Sequence, residues 1–549
     1  MPLSSELKYF LHLIAFICWI SLVEIFYGVL SFDFFRKSGN DFEDFGEDFN
    51  PIERYGTIVT ILLYLIRLVS LLVLPQCICN SLGLVLFNGF KDKIKLKSTP
   101  LFAPFICFRV VTKGNFPELV KVCKYLSFIS FLNAGDGIQC GILRDLAPTI
   151  PRFFVCIFWV VGLIPLGKQA IVLRITKISG HPGFDDFEHL SLCGTLGSAM
   201  NLEKNLQTCH EAGLESFIFE VVTDKSVNLP HCNRVREVVV PLDYRTKTGA
   251  KFKSRALQYC LEDKVNIFGD DDWIVHLDEE TLLSVNSLNG ILNFCEDGKH
   301  HFGQGVITYA QGEIVNWLTT LSDSFRVADD MGKLRFQFKV FHKPLFGWKG
   351  SFVVTNAGAE KKVSFDHGPE GSIAEDCFFS MVAFRDGYSF DFIEGEMHEK
   401  SPFTFWDFLQ QRRRWLQGIF LTVHSKYIPF RCKFLLASSL YAWVTLPLTT
   451  LQIFLNPLLP LPKAFVLDFL VAFVGAVNLY MYIFGVIKSF SHKYRNNSWR
   501  LLIYTLAALV AIPFNIWIEN MAVLMGICSN KFEFYVVNKD TRLINSQIV

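Results

Sequence analysis

Long apolar runs lie at both ends of this chain, and segments alternating between strand-like and helix-like periodicity fill the middle. Two runs open it, Tyr9 to Leu30 and Ile58 to Leu74, the second continuing to Phe87. Three close it, Phe434 to Leu459, Phe465 to Phe490 and Leu501 to Ile527. At about 1.5 Å of rise per residue, each closing run is long enough to cross about 30 Å of hydrocarbon. Pro447, Pro457 and Pro513 are expected to kink or interrupt them, and Pro513 with Asn515 and Glu519 invites a split of the last run into a re-entrant pair. The first run has neither a basic start nor a small-residue cleavage site, so it reads as a retained span. Glu24 and Arg67 fall inside the opening runs, where a charge costs a few kcal/mol unless paired; a Glu24–Arg67 pair is one solution.

The middle reads differently. LFAPFICFRVV at 101–111 is a short β-rich apolar run that fits a buried parallel strand. LEKNLQTCHEAG at 202–213 reads as a helix stopped by Gly213. Buried strands are expected at Phe217 to Val222, Glu237 to Pro241 and Trp273 to Leu277, with a helix at about Lys253 to Leu261. Strands alternating with helices imply a doubly wound α/β sheet, whose ligands gather at the carboxyl ends of strands. The organisation expected is 1–88 with two spans and an acidic connecting loop, 91–432 as the catalytic domain, 433–530 with about three spanning or re-entrant segments, and a tail at 531–549.

Basic residues orient these parts. Lys91, Lys93, Lys95 and Lys97 follow the second span, Arg412, Arg413 and Arg414 precede the third, and Lys488, His492, Lys493, Arg495 and Arg500 cluster around the loop between the fourth and fifth. All fall on one side if each run crosses once, and the positive-inside rule makes that side, with 91–432, cytosolic. Hydrophobic residues make up 51% of the chain and phenylalanine alone contributes 55, which suits a lipid-facing surface. A net charge of +1 supplies no basic field for nucleic acid, so none is expected as partner. The fifteen cysteines show no CxxC pair or zinc-like spacing and read as buried thiols.

Candidate chemistry concentrates in four places. In DDWIVHLDEET a strand delivers Asp278 and Glu280, spaced i, i+2, to one end, as a hard cation bridging a diphosphate requires; a solvated acidic turn is the plain alternative. Asp224 ends another strand, where it could accept from a base or ribose, although a helix cap or turn is the more common role there. Glu375 and Asp376 open a helical stretch as caps or as a general base. Gln411, Arg414 and Trp415 share one face of a helix at Phe405 to Phe420, offering a bidentate phosphate contact and a flat ring, or simply a basic helix at the lipid surface.

The order of these pieces, strand-Asp, DxE, ED and QxxRW between terminal spans, resembles the inverting family 2 glycosyltransferases that include cellulose, chitin and hyaluronan synthases. DWIVHLDEET, AEDCFFSMVAF, FIEGEMHEKSPFT, FLQQRRRWLQGI and NWLTTLSDSFRVADDMGKLRFQFKVFHKPLFGWKGSFVV narrow the resemblance to the invertebrate β-1,4-mannosyltransferases of glycosphingolipid synthesis, over about 51–119 and 201–540. The resemblance implies a GT-A-like Rossmann-type nucleotide-sugar-binding domain flanked by N- and C-terminal transmembrane helices. It implies GDP-mannose as donor, glucosylceramide as acceptor, a divalent Mg or Mn ion, and a Golgi or ER membrane with its lipid. It implies that Asp224 contacts base and ribose, that Asp278 with Glu280 holds the metal, and that Asp376, beside Glu375, is the base. Gln411, Arg414 and Trp415 would bracket diphosphate and acceptor, and the donor's basic segment would fall within Lys247 to Arg255. Glu280 departs from the usual DxD. Residues 122–200 have no counterpart in that pattern; they read as a loop bulging from the domain or as a stretch outside the functional protein. A processive polysaccharide synthase and a non-catalytic nucleotide-binding membrane protein are the rival readings.

The sequon Asn496-Asn497-Ser498 lies in a loop expected to face the cytosol. Asn496 is therefore expected to carry no glycan, and an endoglycosidase-sensitive shift lost in Asn496→Gln would reverse the topology.

Overall fold

The computed structural model describes residues 4–37, 50–91, 93–97, 104–112, 193–226, 233–311, 314–462, 464–490 and 497–535. Most of the interrupting segment 122–200, and Asn496 with the basic loop around it, lie outside these residues; Cys193–Glu211 is one helix. Seven strands form one sheet: β1 (Ile106–Thr112), β2 (Phe217–Thr223), β3 (Val235–Val239), β4 (Trp273–Leu277), β5 (Phe302–Thr308), β6 (Val353–Asn356) and β7 (Phe390–His398), in the order β3-β2-β1-β4-β6-β5-β7. The first four are mutually parallel, as the apolar runs predict, because helices cover both faces and no strand alternates with water. The sheet is nevertheless mixed and not wholly parallel. β6 runs antiparallel to both β4 and β5, while β7 is parallel to β5. Two strands begin away from their expected starts, β1 at Ile106 and β3 at Val235, since pairing with β2 rather than local hydrophobicity sets their ends.

A buried charge row crosses the first half of the sheet. Arg236, Glu220, Arg109 and His276 are direct cross-strand neighbours on β3, β2, β1 and β4. Arg109 donates to Glu220 at 2.7 Å and to Glu360 at 2.8 Å, and His276 meets Glu360 at 2.7 Å. Arg109 and Glu360 are wholly buried, so each charge depends on the others for solvation and the four strands are locked in register.

Among the described residues, four helices are long and apolar enough to cross a membrane: Ser5–Phe26, Thr57–Leu86, Phe465–Phe490 and Trp499–Cys528. A fifth span arises if Phe430–Val444 and Leu446–Asn456, bent by 50°, count as one. Their near ends meet the domain: Arg335 donates to the Asn88 carbonyl at 3.1 Å, and the Lys488 ammonium reaches Glu396 and the Gly89 carbonyl. At the far ends Tyr55 donates to the Pro460 carbonyl at 3.1 Å, and Arg67 pairs with Asp468. Arg67 thus pairs with Asp468 and not with Glu24, the one solution the sequence offered, because the helix that packs beside Arg67 carries Asp468. The split invited by Pro513 is absent, since Ser498–Cys528 is one helix with the proline inside; the interruption expected at Pro447 is present, as a break at Thr445. Near one end of this helix Tyr504 stacks on Trp317 at 4.9 Å, and near the other Gly526 packs on Leu416. Trp317 and Leu416 both belong to the domain, so the helix runs along the domain's membrane face and delivers the following tail back to it.

Close packing between the two parts rests on glycine. A Cβ on Gly485, in the helix Phe465–Phe490, would stand 1.8 Å from the Ser324 carbonyl oxygen, whereas one on Gly475 of the same helix would meet nothing within 4 Å. Gly485→Ala is expected to cost about 1–3 kcal/mol through overpacking, and Gly475→Ala to be neutral or slightly stabilising. Thermal unfolding of the two variants in detergent, side by side, checks the contrast.

Candidate active site

The chain leaves β1 toward β2 and β3 on one side and returns to β4 on the other, so β1 and β4 border the crevice that this topology opens at their carboxyl ends. The turn after β4 fills that crevice. The Asp278 amide lies 3.2 Å from both the Thr281 and Ser351 hydroxyls, and the Thr112 hydroxyl at the end of β1 donates to Glu279 at 2.9 Å. The far edge of the sheet reaches the same place, because Leu282 and His398 exchange backbone hydrogen bonds of 2.8 and 3.0 Å. That bridge sets Glu399, just past β7, beside the turn, where it accepts from Thr281 at 2.7 Å. One carboxylate oxygen each from Asp278, Glu280 and Glu399 lie within 4.8 Å of one another. Three hard anionic oxygens at this spacing fit a Mg²⁺ or Mn²⁺ ion, and no thiol or imidazole competes within the set.

Lys253 joins this cluster to the next. It sits in the first turn of the helix Phe252–Cys260, whose opening residue holds a φ of 55°, an uncommon conformation for phenylalanine. The ammonium donates to Asp278 at 2.9 Å and stands 3.5 Å from Glu375. Burial opposes its charge, but Asp278, Glu375 and Asp376 outweigh burial and hold the pKa above the ordinary lysine value. Glu375 and Asp376 open the helix Glu375–Arg385. The Asp376 carboxylate accepts from the Cys377 amide at 2.7 Å and faces Gly350, where a Cβ would stand 3.0 Å from its oxygen. Burial, then the neighbouring Glu375 charge, pushes Asp376 up to about 7, against the opposing pull of the Cys377 amide, Lys253 and Arg414.

The helix Phe405–His424 closes the membrane side. Gly418 lets it approach Ala374, immediately before Glu375, to a distance no side chain would permit, since a Cβ there would lie 2.4 Å from that of Ala374. Of the residues expected on this helix, Arg414 acts electrostatically on Asp376 and lies with its guanidinium 4.5 Å over Phe534. The Trp415 ring lies under Arg326 and Arg412, and the Gln411 amide oxygen is buried without a hydrogen-bond partner. Asp224 and Arg255 pair at 2.7 Å past the end of β2, one strand away from the crevice. Lys247 is exposed on the loop ahead of Lys253.

Three residues without an assigned role in the sequence reading emerge. Lys253 lay inside the basic segment, but only the start of its helix at Phe252 distinguishes it from its neighbours. Glu399 had a signal, a carboxylate just past an apolar strand, in a stretch that was not read as a strand. Phe534 had none. The tail after Ser498–Cys528 packs along Phe405–His424, with Glu533 pairing Arg413 at 2.7 Å, Tyr535 donating to Asp407 at 2.8 Å and Phe534 stacked on Phe252 at 4.7 Å.

A mixed seven-stranded sheet with carboxylates at its topological switch point and the QxxRW helix beneath is an arrangement that suits a glycosyltransferase. The sequence profile of Glycosyl transferase family group 2 matches residues 273–534. Beta-1,4-mannosyltransferase bre-3 is 56% identical in both Caenorhabditis briggsae and Caenorhabditis elegans over 542 residues, covering 99% of this chain and 100% of theirs. Beta-1,4-mannosyltransferase egh of Drosophila melanogaster is 49% identical over 544 residues, with the same coverage. Among solved structures, mannosyltransferase PcManGT from Pyrobaculum calidifontis in complex with GDP-Man and Mn²⁺ aligns at a TM-score of 0.37 and 12% identity, covering 82% of this chain and 99% of that one. The chain belongs to the family 2 glycosyltransferases and, within them, to the β-1,4-mannosyltransferases represented by bre-3 and egh.

A carboxyl near pH 7 titrates across the neutral range, and the pH–rate profile of transfer is expected to show it. Activity should fall as pH drops through about 7 and Asp376 takes up a proton. Glu375→Gln removes a charge that raises this pKa, so the acidic limb should move to lower pH. A limb that stays in place in that variant assigns the titration to another group.

Proposed function

We propose that the chain transfers mannose from GDP-mannose to the O4 hydroxyl of glucosylceramide, giving a β-1,4 linkage, at the cytosolic face of a Golgi or ER membrane. The observation that carries this reading is the Lys253 bridge, which gathers Asp278 and the Glu375–Asp376 pair beside helices long enough to cross a bilayer. The close relatives named as β-1,4-mannosyltransferases support the sugar and the linkage. The lipid-facing helices support an acceptor that is itself a lipid.

In this mechanism Asp376 accepts the proton of the acceptor hydroxyl. The oxygen attacks the anomeric carbon from the face opposite the diphosphate, the carbon–oxygen bond to the diphosphate breaks, and GDP departs. Inversion of an α-linked donor gives the β product. A pKa near the working pH suits a general base, which must be unprotonated yet still bind a proton strongly. Asp278, Glu280 and Glu399 would hold a divalent ion, which when bound neutralises charge growing on the leaving diphosphate. Lys253 and Arg414 add positive charge for the same group. Asp224 and Arg255 serve the base and ribose, with Lys247 at the rim of the donor site. Gln411 and Trp415 serve the acceptor.

The test is incubation of membranes carrying the chain with radiolabelled GDP-mannose and glucosylceramide. A single added mannose, dependent on Mg²⁺ or Mn²⁺, is the expected product, and a polymer ladder would favour a processive synthase. Asp376→Asn should lose about 10²–10⁴-fold in transfer while keeping donor binding. Near-normal turnover in that variant refutes the assignment of the base.

A further inference from the structure

Between the carboxylates and the membrane helices lies a second buried polar cluster, of which the transfer mechanism uses only Trp415. At its centre is Asp323, wholly buried in the helix Trp317–Asp329. Its Oδ1 accepts from Arg412 at 2.6 Å and stands 3.5 Å from the Arg326 guanidinium. Both guanidinium groups lie over the Trp415 ring, Arg326 at 4.4 Å and Arg412 at 4.5 Å from its centre. Arg326 also lies 5.0 Å over the ring of Tyr309, whose hydroxyl is buried without a hydrogen-bond partner. Tyr309 directly follows β5 and interacts electrostatically with Glu399 of the carboxylate cluster. Toward the membrane, Arg412 forms an ion pair of 3.0 Å with Glu519 of the helix Ser498–Cys528. One carboxylate thus fixes two cations and, through them, two aromatic side chains on the line from the bilayer to the carboxylates. Burial pushes the Asp323 carboxyl up, but Arg412 and Arg326 outweigh it and hold it below the usual range, so it is charged.

We propose that Asp323 is the positioning residue of the acceptor site. By holding Arg326 and Arg412 it sets the Trp415 indole against which the sugar head of a membrane glycolipid comes to rest. This rests on the reading that the acceptor is a glycolipid. The half-buried Trp415 ring suits the apolar face of a sugar. Removing the Asp323 charge leaves Arg326 without its carboxylate partner and Arg412 with Glu519 alone, and the two guanidinium groups shift on the ring.

The test compares Asp323→Asn, Asp323→Glu and Arg326→Gln with the wild-type chain, all full length and in membranes. In Asp323→Asn the KM for the acceptor should rise about tenfold, with the KM for GDP-mannose and the affinity for GDP with Mn²⁺ unchanged. Asp323→Glu should recover much of the loss, and Arg326→Gln should repeat the acceptor-selective defect if Asp323→Asn does not fold. In a Trp415→Ala background Asp323→Asn should add nothing further. Equal rises in both KM values, or additive losses in the double variant, would reduce Asp323 to a structural residue and overturn the proposal. If the wild-type chain makes no mannosylated lipid, the glycolipid reading fails and this proposal falls with it. If the wild-type chain is active and both KM values rise together, this proposal alone fails.

Discussion

Carboxylates from separate parts of the chain cannot share a small space without a counter-ion, and Lys253 supplies it. Asp278 follows β4, and Glu375 begins a helix nearly a hundred residues later; one ammonium group lies within 3.5 Å of both. Burial first, and then the like charge of Glu375, push the Asp376 carboxyl up to about 7. The site is thus held in tension by its own charges. The unusual backbone at Phe252 is part of that arrangement, because it turns the first helical residues so that Lys253 enters the crevice.

What surrounds this cluster is built to bring a membrane surface close to it. Gly418 allows the QxxRW helix to touch the residue before the Glu375–Asp376 pair, and Gly485 allows a membrane helix to touch Trp317–Asp329. Where side chains would have kept these elements apart, backbones meet. The helix Ser498–Cys528 runs beneath both and returns the chain to the domain, so Phe534 rests between Arg414 and Phe252. Donor-side and membrane-side elements are therefore in van der Waals contact, with the polar cluster around Asp323 between them.

Much of this was written in the order of residues. The strands Phe217–Thr223 and Trp273–Leu277 are short apolar runs ended by polar residues, and a parallel, doubly covered strand needs nothing more. The membrane helices were legible because lipid leaves a chain little choice but long apolar helices. Asp278, Asp376 and Arg414 stood out because their motifs recur in a fixed order. β6 was not legible: four residues, VVTN, carry no periodicity, and only the gap between β4 and β5 makes them a strand. The partner of Arg67 was not legible either, since Glu24 and Asp468 are equally plausible until helix packing selects one.

The sequence by itself determined where the first four strands fall, which segments are long and apolar enough to cross a membrane, and which acidic and basic residues are available for chemistry. These follow from local hydrophobicity and motif spacing, which neighbouring residues settle among themselves. The tertiary structure alone decided that Lys253, and not another of the nearby basic residues, bridges Asp278 to Glu375, and that Glu399 completes the carboxylate set. It alone decided that the tail returns to Arg414. Each of these contacts joins elements distant along the chain, and no local preference encodes the strand pairing and helix packing that bring them within a few ångströms.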